Sequence, residues 1–418
     1  MDNSENDDLF KPGAPPPRRR QGRGLPDLSA LFSDSDTPKT TEKAAPKPAP
    51  AITPSPLESQ SPSEAEPDGK LSLPPELEKF LSADLWRKLN SEDPRRGVLI
   101  NALERLRSVQ YLLSTFLPNH LVQEKMRRPV AGLVSGQVLR GSLLFSDVSG
   151  FTALSERLAV LGPEGAERLT EIMNRYFATM LEIISWSGGT LLKFAGDAAL
   201  VYFPQQEQGT QALWAVRAGT RMLYAIGEFA NIPTPTENVS LKMKIGVASG
   251  EFMAASVGSA RRMEYGVIGP AVTQTMGAEG ASTGPGQLIV NEATANLLGD
   301  DFIVTPQSPG YYQAQARSEQ SIGDFEIKAE ERRARSGVPW NASPQALLAQ
   351  TRVALNQIHA IEPFIAAELA ERVIVHARER RVESEFLLTT VLFCNFIGFE
   401  TLFDAWGQAG VSRLTSLF

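Results

Sequence analysis

The stretch 143–154, LLFSDVSGFTAL, constrains this chain more than any other. An apolar run of strand-forming residues ends in Asp147, and Ser-Gly-Phe-Thr follows before a helical pattern opens near Ala153. A continuous apolar run suits a strand covered on both faces. Its terminal carboxylate then meets a turn whose backbone N–H groups lie at a helix N-terminus, which suits an anion. A lone strand-end aspartate more often caps a helix or closes a turn. The stretch by itself leaves both readings open. A near-copy stands at 391–402, VLFCNFIGFETL, with Asn395 in the place of Asp147.

The surrounding pattern alternates strand and helix. Strand signals at 138–148 lead into a long amphipathic helix at 162–187 and a hairpin at 188–203. A second helix follows at 211–230, then a strand pair at 241–258, a short helix at 271–282, and a strand and helix at 286–298. This order predicts an α/β (α+β) sandwich of ferredoxin-like, split βαβ plan, with helices over one sheet face.

Five segments are expected. Residues 1–72, rich in Pro, Ser, Asp and Lys, hold too little apolar surface to offset the entropy of ordering and read as a disordered arm. Residues 73–136 read as helical, with Leu99, Leu103, Leu106, Val109, Leu112 and Leu113 at three- and four-residue spacing and Pro118 as a breaker. The sandwich occupies 137–332, a helical connector 333–385, and the second copy of the opening strand 386–418. One strand cannot complete a sheet, so that last segment reads as the start of a further domain. A net charge of −7 argues against a broad nucleic-acid surface. Cys394, the sole cysteine, allows no internal disulfide. There is no basic and apolar leader and no apolar run of the ~20 residues a bilayer needs, so a cytoplasmic protein is expected. His120, His359 and His376 fall on helices without clustered ligands, which suggests surface or capping roles.

Asp147 and Asp197 carry the chemistry. They stand 50 positions apart (197 − 147), each at a turn beside an apolar strand. If the strand ending at Asp147 pairs beside the hairpin holding Asp197, both carboxylates reach one sheet edge. Two hard oxygen ligands facing a phosphate-bearing partner suit Mg²⁺ or Mn²⁺, and two such ions can serve an attacking and a leaving oxygen.

Together LLFSDVSGFTALSE, GGTLLKFAGDAALVYF, MKIGVASGEF and GVIGPAVTQT resemble the catalytic domain of class III nucleotidyl cyclases, nearest in pattern to the tandem-domain, bicarbonate-responsive soluble adenylyl cyclases. The resemblance implies conversion of ATP to cyclic AMP and pyrophosphate with two Mg²⁺ or Mn²⁺ ions, in sites built between two domains. It makes Asp147 and Asp197 the metal ligands with the Val148 carbonyl between them, and Ser149, Gly150, Phe151 and Thr152 the phosphate loop. Lys193 matches a base-contacting lysine, and Lys193, Val267 and Met276 fall in the degenerate base or regulatory site. Met276 stands where a bicarbonate-pairing arginine is expected, so weak bicarbonate stimulation is implied. Gly266, Thr273 and Gly277 occupy the positions of the base acid, the asparagine and the arginine, and none supplies those groups. A second cyclase domain of the full-length chain, or a second copy, is the implied partner, and Asn395 marks that domain as a poor metal site.

Other classes stay in view. A haloacid-dehalogenase-like phosphatase would need acids where Ser149 and Val201 stand, and no GxxxxGK[ST] run marks a P-loop NTPase. Guanylate cyclase activity, or a nucleotide-binding regulatory module without turnover, fits the same motifs.

Overall fold

The computed structural model describes residues 74–91, 96–327 and 343–377, with the single positions 390 and 392. The expected arm at 1–72 and the repeated strand with Asn395 lie outside the described residues.

The elements run α1 (Ala83–Leu89), α2 (Arg96–Ser114), α3 (Asn119–Arg127), β1 (Ser135–Ser149), α4 (Phe151–Ala159), α5 (Pro163–Trp186), β2 (Thr190–Ala195) and β3 (Ala198–Pro204). They continue through α6 (Thr210–Ala225), β4 (Lys242–Ser259), β5 (Arg262–Ile268), α7 (Pro270–Gly280), β6 (Leu288–Asn291) and α8 (Glu292–Ala295). The rest are β7 (Phe302–Ser308), β8 (Tyr311–Ala316), α9 (Glu319–Ile322), α10 (Pro344–Ile361) and α11 (Ala367–His376).

One eight-stranded sheet carries the strands in the order β2-β3-β1-β4-β6-β8-β7, with β5 paired to β4. Its spine is the antiparallel β1–β4 ladder, which runs from Ser135↔Ser256 to Ser149↔Lys242. Side chains alternate across a strand, and β1 uses both sides. Leu144 and Val148 enter one core with Leu154 and Leu158 of α4, Ile183 and Ile184 of α5, and Val216 and Met222 of α6. Leu143 enters the opposite core with Leu200, Phe252, and Ala271 and Val272 of α7. Helices therefore cover both faces, where the sequence pattern led us to expect one. The segment 241–258, expected as two strands, is a single strand because Gly250 stays extended and pairs with Gly141 in an unbroken ladder. The hairpin β7–β8 had no counterpart in the sequence reading.

The stripe Leu99, Leu103, Leu106, Val109, Leu112 and Leu113 is buried, each side chain contributing ~1.5–3 kcal/mol relative to exposure. Its cover comes from the far end of the chain. Leu347, Leu355, Ile358 and Ile361 of α10 and Val373 and Ile374 of α11 share its core. Gln110 donates to the Gln357 carbonyl oxygen at 2.9 Å, and Gln357 donates to the main-chain oxygen of Met126 at 3.0 Å. The described helices of the segments expected separately at 73–136 and 333–385 share one core and form one helical layer. Pro118 stands between α2 and α3, which it separates.

This layer meets the sheet through α3. His120, expected at the surface, is instead mostly buried. Its Nε2 shares a hydrogen bond with the Tyr265 hydroxyl of β5, and its ring packs edge-on against Tyr202 of β3 at 6.2 Å. The helical periodicity did place it on α3; the sheet behind that helix was invisible at that stage. Lys125, one turn further, is 1% exposed and held by Glu124 Oε1 and the Leu133 carbonyl, both at 3.3 Å.

Candidate active site

Asp147 lies two residues from the end of β1, directly across from Lys244 on β4. On its other side the β1–β3 ladder ends at Ser146↔Ala199. The tight β2–β3 turn, Gly196–Asp197, therefore falls beside Asp147, and Gly196 makes the turn with a positive φ of 67°. Sheet register alone brings two acids distant in sequence to one edge.

The electrostatics report their proximity. Burial lifts the Asp197 carboxyl above its ordinary range; its own backbone amide pulls down, and the Asp147 charge adds to the rise. Tyr176, 1% exposed on α5, has its hydroxyl pushed far up by burial, then by Asp197, then by Asp147. Glu279 on α7 is raised by burial and by Asp147, against the pull of Lys244. Tyr176, Lys244 and Glu279 thus share the acids' neighbourhood, and sequence reasoning missed all three. Lys244 follows from register once β4 is known to pair with β1. Tyr176 carried no signal, being one aromatic on a long apolar helix face.

The turn after Asp147 is shorter than expected, since β1 runs on to Ser149 and α4 opens at Phe151 and not near Ala153. Gly150 caps α4 with φ +111°, and its carbonyl accepts from the Leu154 amide at 2.9 Å. A Cβ at Gly150 would sit 2.8 Å from the Ser240 carbonyl oxygen, so glycine is needed for both shape and space. The first amides of a helix have no intrahelical acceptor, which leaves those of Phe151 and Thr152 to face outward. Ser149 and Thr152 are exposed, whereas Phe151 is half-buried against Tyr176. The Val148 side chain is committed to the core, so only its main chain can serve the site. Among the described residues no group of three or more His, Cys, Asp or Glu is positioned to hold a metal ion. The acid pair is a two-carboxylate set.

The second expected site is not gathered by this domain's own contacts. Lys193 is exposed on the edge strand β2, Val267 lies on β5, and Met276 is exposed on α7. No hydrogen bond, ion pair or ring contact joins them among the described residues. Gly266 on β5 and Thr273 and Gly277 on α7 differ in their surroundings. Gly266 has open space around it, and Thr273 is exposed. At Gly277, a Cβ would fall inside the contact radius of the Tyr311 hydroxyl from β8.

The mixed sheet, with an acid pair beside a glycine-capped helix start, agrees with the resemblance to nucleotidyl cyclase catalytic domains. Residues 135–325, just under half of the chain, match the family model for the adenylate and guanylate cyclase catalytic domain. The segment has the class III cyclase domain pattern, and the match runs over 135–325 where the sequence pattern suggested 137–332. The terminal-differentiation-specific adenylate cyclase of Dictyostelium discoideum is 27% identical over 209 residues, covering 49% of this chain and 10% of that protein. Adenylate cyclase type 10 of Rattus norvegicus is 34% identical over 135 residues, covering 32% and 8%. The chain therefore spans a tenth or less of the length of these curated relatives. Among solved structures, the adenylyl cyclase CyaB from P. aeruginosa is 27% identical with a TM-score of 0.37, covering 44% of this chain and 97% of that one. The guanylyl cyclase Cya2 is 31% identical with a TM-score of 0.35, covering 46% and 96%. Among the described residues no helix is long and apolar enough to cross a membrane.

Proposed function

We propose that residues 135–325 supply the metal- and phosphate-binding half of an adenylate cyclase of the cytoplasm, which converts ATP to 3′,5′-cyclic AMP and pyrophosphate. The observation that carries this reading is the meeting of Asp147 and Asp197 at one sheet edge beside the free amides of α4. Two carboxylates fit Mg²⁺ or Mn²⁺, which complete their shells with water and substrate phosphate oxygens. When bound, two such ions supply activation of the ribose 3′-hydroxyl and neutralisation of the triphosphate.

This chain's own residues then have distinct tasks. Asp147 and Asp197 hold position from rigid strand ends, with the Val148 carbonyl between them. The Phe151 and Thr152 amides would donate hydrogen bonds to the phosphate oxygens at the α4 N-terminus. The 3′-hydroxyl would lose its proton to solvent as its oxygen bonds to the α-phosphorus, the bond from that phosphorus to the α,β-bridging oxygen would break, and pyrophosphate would leave with that oxygen.

Position 277 contributes no cation because it is a glycine, and the Tyr311 hydroxyl would have to shift to admit a side chain there. A missing transition-state donor lowers the rate by ~10²–10³. A second cyclase domain, in the same full-length chain, is the natural source of the base-contacting and transition-state groups. The test is calorimetric titration of Mn²⁺–ATP into this chain, followed by product analysis with ATP and with GTP in the presence of a complete second cyclase domain. Micromolar-to-millimolar binding lost in Asp147→Asn and Asp197→Asn, with cyclic AMP as product, supports the reading. Binding that both variants retain would overturn it, and binding without turnover would identify a regulatory module.

A further inference from the structure

A cleft of about 820 Å³ runs along β2, between the α2–α3 corner, the C-terminal half of α5, and β2 itself. Its size is that of small-molecule sites, which run to roughly 300–1,000 Å³. Phe116, Trp186, Leu191 and Phe194 give it aromatic and aliphatic walls. Phe116 and Phe194 are two of the large apolar side chains left exposed. The lining includes one carboxylate, Glu182, and one ammonium, Lys193, and neither has an ion-pair partner among the described residues. A charged ligand would gain from one of these what it loses to the other, so the lining favours a neutral, planar molecule.

Phe194 is also the end of a chain of rings. It packs against Phe177 of α5 at 4.8 Å and 66°, and Phe177 meets Tyr176 at 5.1 Å and 64°. Tyr176 meets Phe151 at 5.3 Å and 75°. All three are edge-to-face contacts, the geometry in which ring pairs attract beyond their buried area. Phe151 is the first residue of α4, next to Gly150. The four rings join the cleft to the turn that follows Asp147, through a packed interior that transmits displacement.

We propose that this cleft is a regulatory site for a neutral, planar, mainly apolar small molecule. Its occupant rests on Phe194 and acts on the 150–154 turn through Phe177 and Tyr176. The importance of that turn rests on the proposed cyclase reading; the site and its coupling do not, and they are tested without nucleotide.

The experiment uses the whole chain and two probes, neutral N-phenyl-1-naphthylamine and its anionic relative 1-anilinonaphthalene-8-sulfonate. Saturable one-to-one fluorescence with the neutral probe is expected, with the anion about tenfold weaker or worse. Phe194→Ala and the cleft-filling Leu181→Trp should each weaken the neutral probe by about tenfold. Equal binding by both variants, or an anion bound as tightly as the neutral probe, would overturn the assignment. Hydrogen exchange then reads the coupling. The bound probe should slow amides 150–154 in the native protein. In Phe177→Leu, which keeps an apolar side chain in place, the probe should still bind and the slowing should disappear. Unchanged exchange at 150–154 in the native protein, or slowing that survives in Phe177→Leu, would refute the ring path.

Discussion

Protonating His120 should weaken the hold of the helical layer on the sheet, and its size can be worked from the site. Burial pushes the imidazole down from its ordinary 6.5 to about 4, with the nearby Glu124 charge opposing the fall. Nδ1 is buried with no hydrogen-bond partner, so the added proton would meet nothing that can accept it. The unfolded chain takes up this proton near the ordinary value, whereas the folded chain takes it up only near 4. Between those limits the unfolded state binds more protons, so stability is fully present above pH 6.5 and is lost as pH falls toward 4. Roughly 2.5 pH units at 1.36 kcal/mol each gives a loss of about 3 kcal/mol. The assay is urea unfolding between pH 4 and 7 for the native protein and for His120→Gln, which keeps a polar group toward Tyr265 and does not titrate. Carboxylates that titrate in the same window cancel in the difference. The native protein should lose about 3 kcal/mol more than the variant over this range. Parallel stability curves for the two proteins would refute the reasoning.

Other substitutions test the architecture around the acid pair. Gly277→Arg should destabilise by ~1–3 kcal/mol in urea unfolding through overpacking against Tyr311, and Tyr311→Ala should relieve it, while Gly266→Asp, in open space, should stay within ~0.5 kcal/mol. Gly150→Ala should cost about 1–3 kcal/mol from its left-handed φ and the Ser240 carbonyl, and should weaken Mn²⁺–ATP binding as well. Asn291 holds the Thr294 amide at 3.0 Å, the Ser249 amide at 3.2 Å and Gln274 of α7 at 2.5 Å. Asn291→Leu leaves buried donors unpaired and should cost about 1–3 kcal/mol for each, with faster amide exchange in α7.

What could be read from the sequence followed from periodicity and local turn chemistry. The strand run into Asp147, the glycine-capped start of α4 and the β2–β3 hairpin are each specified within a dozen residues, and each appears, with α4 opening at Phe151 and not near Ala153. The leucine stripe of α2 announced a packing face, yet its partner lies about 240 residues further along the chain, and no local pattern names such a partner. His120 was misjudged for the same reason: nothing near it in sequence shows that Tyr202 and Tyr265 lie behind it. Gly250 misled because a glycine between apolar runs usually breaks a strand, whereas here a facing glycine on β1 lets the ladder continue. Tyr176 was missed because its role depends on which way one helix face points across the sheet.

The position of Gly277 ties these strands of argument together. The sequence presents it as a simple loss, a glycine where an arginine would be expected by resemblance. The structure makes it a fitted contact, because the β7–β8 hairpin brings the Tyr311 hydroxyl into the volume an arginine side chain would need. Restoring the arginine alone would meet that ring before it reached any substrate. On the proposed reading, a pair of identical copies lacks the transition-state cation, and an arginine placed at 277 would also have to displace the Tyr311 hydroxyl. The double variant Gly277→Arg with Tyr311→Ala measures this. If the single arginine variant folds with native stability and two copies of it produce cyclic nucleotide, the Tyr311 contact is no barrier and the case for an obligate second domain fails.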